Sequence, residues 1–200
     1  MLKKIIIFIL ALFVLMNAVC AIDTSDWINA SVGYEEFKIP PEYKNPYSSD
    51  FHMYEYDYNI NVFTVRYVNP AIMSLYGYFI EHSSIVKKVE VAGHDAVFFS
   101  GYDRSSEMNT SKLWFSAGDE FYYLAWNGSE ITPTIEEVVK SASPSNYTTS
   151  EFYSILNDEY STYKITDAIE SQRNDYPARD KSSHSFVSFG SGGVNFGVMT

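Results

Sequence analysis

The stretch "FHMYEYDY", Phe51 to Tyr58, holds the side chains best placed to do chemistry in this chain. On a strand successive side chains point to opposite faces. Glu55 and Asp57 therefore share one face, and His52, Tyr54, Tyr56 and Tyr58 share the other. Two carboxylates beside aromatic rings are the equipment of a glycoside hydrolase, in which one acid protonates the leaving oxygen and the other acts as base or nucleophile. The same pattern also describes a strand with a solvated carboxylate face and an aromatic core face, and that reading outweighs the catalytic one. Tyr54, Tyr56 and Tyr58 are then candidate binding residues for a sugar or protein wherever their face is left uncovered.

Other catalytic and metal patterns fall short on spacing. A nucleophile elbow requires G-x-S-x-G, whereas "FGSGG" puts Gly190 directly before Ser191. The four histidines, His52, His82, His94 and His184, fall in four separate elements, with no H-E-x-x-H and no calcium loop. His82 ends a helical pattern, where it suits the last carbonyls, and His94-Asp95 reads as a hairpin turn. No metal, cofactor or catalytic residue is assigned, and the chain reads as a non-enzyme. With 25 Asp and Glu against 14 Lys and Arg, the net charge of −11 repels phosphate backbones. No phosphate loop, dinucleotide fingerprint or basic run offsets that, so nucleotide and nucleic-acid functions are excluded.

The first 21 residues supply an address. Lys3 and Lys4 precede the apolar run Ile5–Met16, and small residues follow up to Ala21, which together predict an export signal cleaved after Ala21. Two of the 14 basic residues lie in that leader, so the rest carries 12 against 25 acidic ones, or −13. Left uncleaved, residues 5–22 would be long enough to span a bilayer, the only membrane contact this chain predicts. Cys20 is the lone cysteine. Asn17 and Val19 depart from the lipid-attachment pattern, and one cysteine cannot form a disulfide within the chain. Each route places the chain outside the cytoplasm, secreted or at the cell surface. Four glycosylation sequons, at Asn29, Asn109, Asn127 and Asn146, fall in expected loops or turns.

The elements that must position these residues read as α+β. "IDTSDWINAS" is a spacer, "YEEFKIP" a strand stopped by Pro40-Pro41, and "EYKNPYSSD" a loop. Two strands flank a turn at Asp57–Asn61, and a helix starts at Pro70 with Ile72, Leu75, Tyr76 and Ile80 at helical spacing. "VKKVEVAG", "HDAVFFSG", "SKLWFSAG" and "EFYYLAWNG" are strands joined by glycine turns. In the first, Lys88 and Glu90 oppose Val89 and Val91, which predicts a sheet with one wetter face. Thr132 caps a helix with Pro133 in its first turn. Thr148 and Glu151 form a capping box before a stripe of Phe152, Ile155, Leu156, Tyr163 and Ile169, with a candidate break at Tyr160–Thr162. The Ser/Gly-rich end reads as a flexible tail or a weakly held strand. The expected organisation is a leader over 1–21, an α+β domain over 22–147, a helical extension over 148–178 and a tail over 179–200.

Phe37 and Pro40 in "F-K-I-P", the hairpin residues Val89, Val91, Gly93 and Ala96, and Tyr123, Trp126 and Ile135 to Val139 resemble the corresponding pieces of small secreted PsbP/Mog1-like domains. The resemblance covers about residues 33–143. It implies an antiparallel sheet of six to seven strands packed against helices, and it implies an accessory or binding role rather than an activity. The expected function is an exported binding module for a protein or glycan of the cell envelope. The alternatives are a glycan-directed hydrolase using Glu55 and Asp57, or an envelope component held by an uncleaved N-terminal helix.

Overall fold

Three long strands are buried at most of their positions, and the fold is organised around them: β7 (His94–Asp103), β8 (Met108–Ala117) and β9 (Glu120–Asn127). They are the centre of a seven-stranded antiparallel sheet that also contains β3 (Ser48–Ser49), β4 (Met53–Tyr58), β5 (Asn61–Tyr67) and β6 (Ile85–Val91). Its strand order is β3-β4-β5-β9-β8-β7-β6. A separate hairpin pairs β1 (Ile28–Val32) with β2 (Glu35–Ile39). The helices are α1 (Pro70–Met73), α2 (Leu75–His82), α3 (Pro133–Lys140) and α4 (Thr149–Asn174). The computed structural model describes residues 22–58, 61–104, 107–174, 187–190 and 193–196. They fall into two compact units, one ending at Tyr160 and one beginning at Ser161. The expected leader, with Cys20 and the cleavage position Ala21, lies outside the described residues, as do His184 and Ser191.

Both faces of the central strands are buried. On one face, Ala96 and Phe98 of β7, Leu113 and Phe115 of β8, and Tyr122, Leu124 and Trp126 of β9 pack beneath Val32, Phe37 and Ile39 of the hairpin and Ile135, Val138 and Val139 of α3. On the other, Val97, Phe99, Trp114, Phe121 and Tyr123 pack beneath Tyr76 of α2 and Phe152 and Leu156 of α4. This corrects the expectation of one wet sheet face. "VKKVEV" is polar because β6 is the sheet's edge strand, and edges commonly carry lysine.

Local chemistry accounts for the boundaries. Asn69 caps α1 by accepting from the Ile72 N–H, and Pro70 occupies the first turn. The single helix expected after Pro70 is two, because Ser74 separates α1 from α2. The "INAS" end of the expected spacer is, with Val32, the strand β1, and Gly33 at φ +59° turns it into β2. A Cβ at Gly33 would lie 2.9 Å from the Tyr67 ring, so the turn also needs the missing side chain. "EYKNPYSSD" contains a 3-10 turn at Pro41–Tyr43 and the short β3. α4 runs unbroken through Tyr160–Thr162, where a break was expected; what changes there is burial. Ile155 is partly buried and Leu156 buried, whereas Ile165 is exposed; the Ile169 side chain lies outside the described residues. The first turns of α4 thus belong to the α+β core. In the second unit β10 (Val187–Gly190) and β11 (Gly193–Phe196) form an antiparallel hairpin.

The α3 cap gives a simple stability test. Thr132 Oγ1 accepts from the Ile135 N–H at 3.3 Å. Thr132→Ala is expected to cost about 1 kcal/mol, read as a lower urea midpoint with an unchanged denaturant slope.

Candidate functional site

The margin of the sheet at β3–β4 is where aromatic side chains come to the surface. Pro40 and Pro41 end β2 and set up the 3-10 turn, which delivers Tyr43 onto the sheet. Its ring stacks on Phe63 with centroids 4.5 Å apart and meets Tyr56 edge-on at 5.4 Å. The chain then passes Asn45-Pro46 and returns alongside β4, where the Tyr47 N–H donates to the Glu55 carbonyl at 2.8 Å. This loop and β4 enclose a shallow groove of about 470 Å³ lined by Asn45, Pro46, Tyr47, Tyr56, Asp57 and Tyr58.

The three tyrosines expected to bind have different fates. Tyr54 is 2% exposed and belongs to the core; its hydroxyl donates to the Tyr43 carbonyl at 2.5 Å, and burial pushes its pKa up. Tyr56 is half-buried against Tyr43 and forms a groove wall. Tyr58 is 66% exposed. Its companion in the groove is Tyr47, 80% exposed, which the sequence reading left inside a loop. The usable signal was an aromatic directly after Asn-Pro, where no regular element could bury it. Two exposed phenol rings beside an amide and a carboxylate suit a ligand with both apolar faces and hydroxyl groups.

By alternation Glu55 and Asp57 share the other face of β4, with Glu55 opposite Thr64 and Asp57 opposite Val62 on β5, and Asp57, near the end of the strand, also borders the groove. Glu55 is half-buried and Asp57 exposed. Their separation is the roughly 7 Å that any i, i+2 pair has along a strand. His52 is exposed beside Phe51 and Tyr67 in a second aromatic cluster completed by Tyr34 of the β1–β2 turn. Reading β1 as a spacer concealed that cluster.

The other histidines serve the backbone. His82 Nδ1 lies 2.9 Å from the Tyr78 carbonyl at the end of α2. His94 is not in a turn: Ala92 and Gly93, both at positive φ, make the turn, and His94 is buried in β7 with Nδ1 2.8 Å from the Ser116 carbonyl. Among the described residues no group of three or more His, Cys, Asp or Glu is arranged to hold a metal. The sequons are not all in loops either. Asn29 and Asn109 are exposed positions within β1 and β8, and Asn127 ends β9 half-buried, its amide donating to Met108 Sδ at 3.7 Å. Asn146 is in a loop, with its amide on Asp119 Oδ1 at 2.9 Å. The difference arises because outward-facing strand positions are as polar as loops.

A second groove, of about 380 Å³, lies between the β1–β2 hairpin and α3. Glu36 and Glu137 there offset Lys38 and Lys140, and Glu137 is already paired with Lys140 at 2.9 Å, so this groove favours neither ion sign. No helix among the described residues is long and apolar enough to cross a membrane. No protein-family model, no curated protein and no solved structure matches the chain.

Proposed function

We propose that the chain is an exported, non-enzymatic binding module that takes a glycan of the cell envelope into the groove between Tyr47 and Tyr58. The observation that carries this reading is the pair of solvent-facing phenol rings at the rim of that groove, beside Asn45 and Asp57. Sugar rings have apolar faces that such rings cover and hydroxyls that an amide and a carboxylate can hydrogen-bond. The groove is shallow, which suits capture of one stretch of a longer polymer rather than enclosure of a small substrate. The charged n-region and apolar run of residues 1–21 support export, and the PsbP/Mog1-like resemblance supports an accessory role.

The test is retention of the full chain on immobilised envelope polysaccharide. Tyr47→Ala and Tyr58→Ala are each expected to weaken retention about 5- to 30-fold, the effect of removing an aromatic contact worth roughly 1–2 kcal/mol. Glu55→Gln should leave retention unchanged. Retention that is indifferent to both tyrosines would remove the groove from the function. Turnover of the polysaccharide by the wild type, lost in Glu55→Gln and Asp57→Asn, would replace the module with a hydrolase.

A further inference from the structure

The large sheet ends in an open strand. β6 pairs with β7 along one side, and among the described residues no strand pairs with its other side. Along that side alternate backbone N–H and C=O groups point outward, which is a template for a further strand. Ile85, Val86, Lys87, Lys88 and Glu90 are exposed, so nothing else covers this edge, and the first two are apolar. The other end of the sheet differs, because the two-residue β3 caps part of β4 there.

The charges on β6 are arranged by face. Alternation puts Lys88 and Glu90 on the side covered by α4, where the Lys88 ammonium lies over the Tyr153 ring at 4.2 Å. Val89 and Val91 point to the other side and pack with the core beneath α3 and the β1–β2 hairpin. Glu90 stands directly opposite Asp95 of β7, and like charges so placed repel. Neither carboxylate is in an ion pair among the described residues. A cation arriving across the open edge beside Glu90 would relieve that repulsion.

We infer that β6 pairs antiparallel with β6 of a second copy of this chain, about a twofold axis at Val89. A twofold axis perpendicular to the sheet keeps each face on its own side, so only residues from the same face can stand opposite each other. One residue must then face its own copy. With the axis at Lys87, Lys88 or Glu90, that residue meets a like charge. With the axis at Val86, Glu90 falls beyond the paired stretch. At Val89 the valines face each other, and Lys88 of each copy stands opposite Glu90 of the other. Each Glu90 then lies between Asp95 and a lysine. The same register brings the exposed Val86 beside the β6–β7 turn of the second copy, at Ala92. Lysine on an edge deters most strands; with Glu90 two residues along, this edge is complementary to itself. The tyrosine groove lies at the opposite margin of the sheet and stays open in the pair.

The test is sedimentation equilibrium on the full chain in salt of about 0.15 M, which screens charges beyond roughly 8 Å and so mutes the repulsion between two acidic chains. The expected result is a reversible dimer. Lys88→Glu and Glu90→Lys should each weaken it about tenfold or more, because each turns both cross-strand pairs into like charges. An equimolar mixture of the two variants should dimerise about as tightly as the wild type, since one copy then supplies two acids at these positions and the other two lysines. Poor folding of either variant cannot produce that recovery. The inference is overturned by a wild type that stays monomeric up to roughly millimolar concentration, by single variants that dimerise as the wild type does, or by a mixture that associates no more tightly than its components.

Discussion

Phe152→Ala is expected to lower the stability of the first unit by about 3–5 kcal/mol, the usual cost of emptying a buried aromatic site. Phe152 is almost fully buried, with its ring stacked on Phe121 at 5.6 Å and meeting Tyr153 edge-on at 5.0 Å. The effect follows from how the segment becomes helical. A capping box begins it: the Glu151 carboxylate accepts from the Thr148 N–H at 2.9 Å, and the Glu151 N–H donates to Thr148 Oγ1 at 3.3 Å. A cap alone leaves an isolated helix marginal in water, so the first turns of α4 depend on tertiary burial. Phe152 and Leu156, four residues apart on one face, provide it, and the Tyr153 hydroxyl adds a bond to the Ala96 carbonyl at 3.2 Å. In the same helix the exposed Ile165→Ala should change stability by less than about 0.5 kcal/mol. Urea unfolding followed by far-UV circular dichroism separates the two. A Phe152→Ala loss below about 1 kcal/mol would show that α4 is an appendage to a core already complete at Tyr147.

Most of the sheet was legible because its hairpins combine β-branched and aromatic runs with glycine turns. β6 to β9 follow that pattern, and their expected cores lie inside the observed strands. β1 was hidden because five residues alternating Ile28, Asn29, Ala30, Ser31 and Val32 follow directly on a polar stretch and are too few to show a period. β3 is two residues long and exists only by pairing with Glu55 and Tyr54, so no local signal defines it. His94 was misplaced because Asp95 is a common turn residue, while the actual turn takes Ala92 into positive φ. The double burial of the sheet could not be read from β6, since an edge strand is wet for reasons unrelated to its faces. The same limit applied at the groove. Alternation correctly put Tyr54, Tyr56 and Tyr58 on one face, but a turn fourteen residues before the middle of that row decides which rings are covered. Tyr43 closes over Phe63 and its carbonyl accepts a hydrogen bond from the Tyr54 hydroxyl, leaving Tyr58 outside.

Alkaline pH is expected to unfold the first unit, with stability lost mainly between pH 10 and 12. Tyr76 is buried on α2, edge-on to Phe99 at 5.7 Å and 5.4 Å from Trp114. Phenolate is poorly tolerated there, and desolvation pushes the Tyr76 pKa from 10.0 up to about 12. A raised folded-state pKa means the native state holds its proton more tightly than the unfolded chain does. The contribution is therefore fully present below pH 10 and falls as pH rises through the folded value. At about 1.4 kcal/mol per pH unit, Tyr76 alone loses on the order of 2–3 kcal/mol across that window. Tyr67 is also pushed up to about 12, by burial first and then by donating to Glu120 Oε2 at 3.0 Å. Burial pushes Tyr122 further in the same direction. Against a total stability of roughly 5–15 kcal/mol for a domain, the Tyr76 loss alone is a large share, and Tyr122 and the more exposed Tyr67 add to it in the same direction. Tyr76→Phe removes the first of these losses, so its alkaline midpoint should lie above that of the wild type while its stability at pH 8 changes by less than about 1 kcal/mol. Tyrosinate absorbance recorded with circular dichroism along the same titration decides the matter. The buried tyrosines should ionise only as helix and sheet signal disappears, and complete ionisation near pH 10 in a still-folded chain would contradict the burial assigned to them.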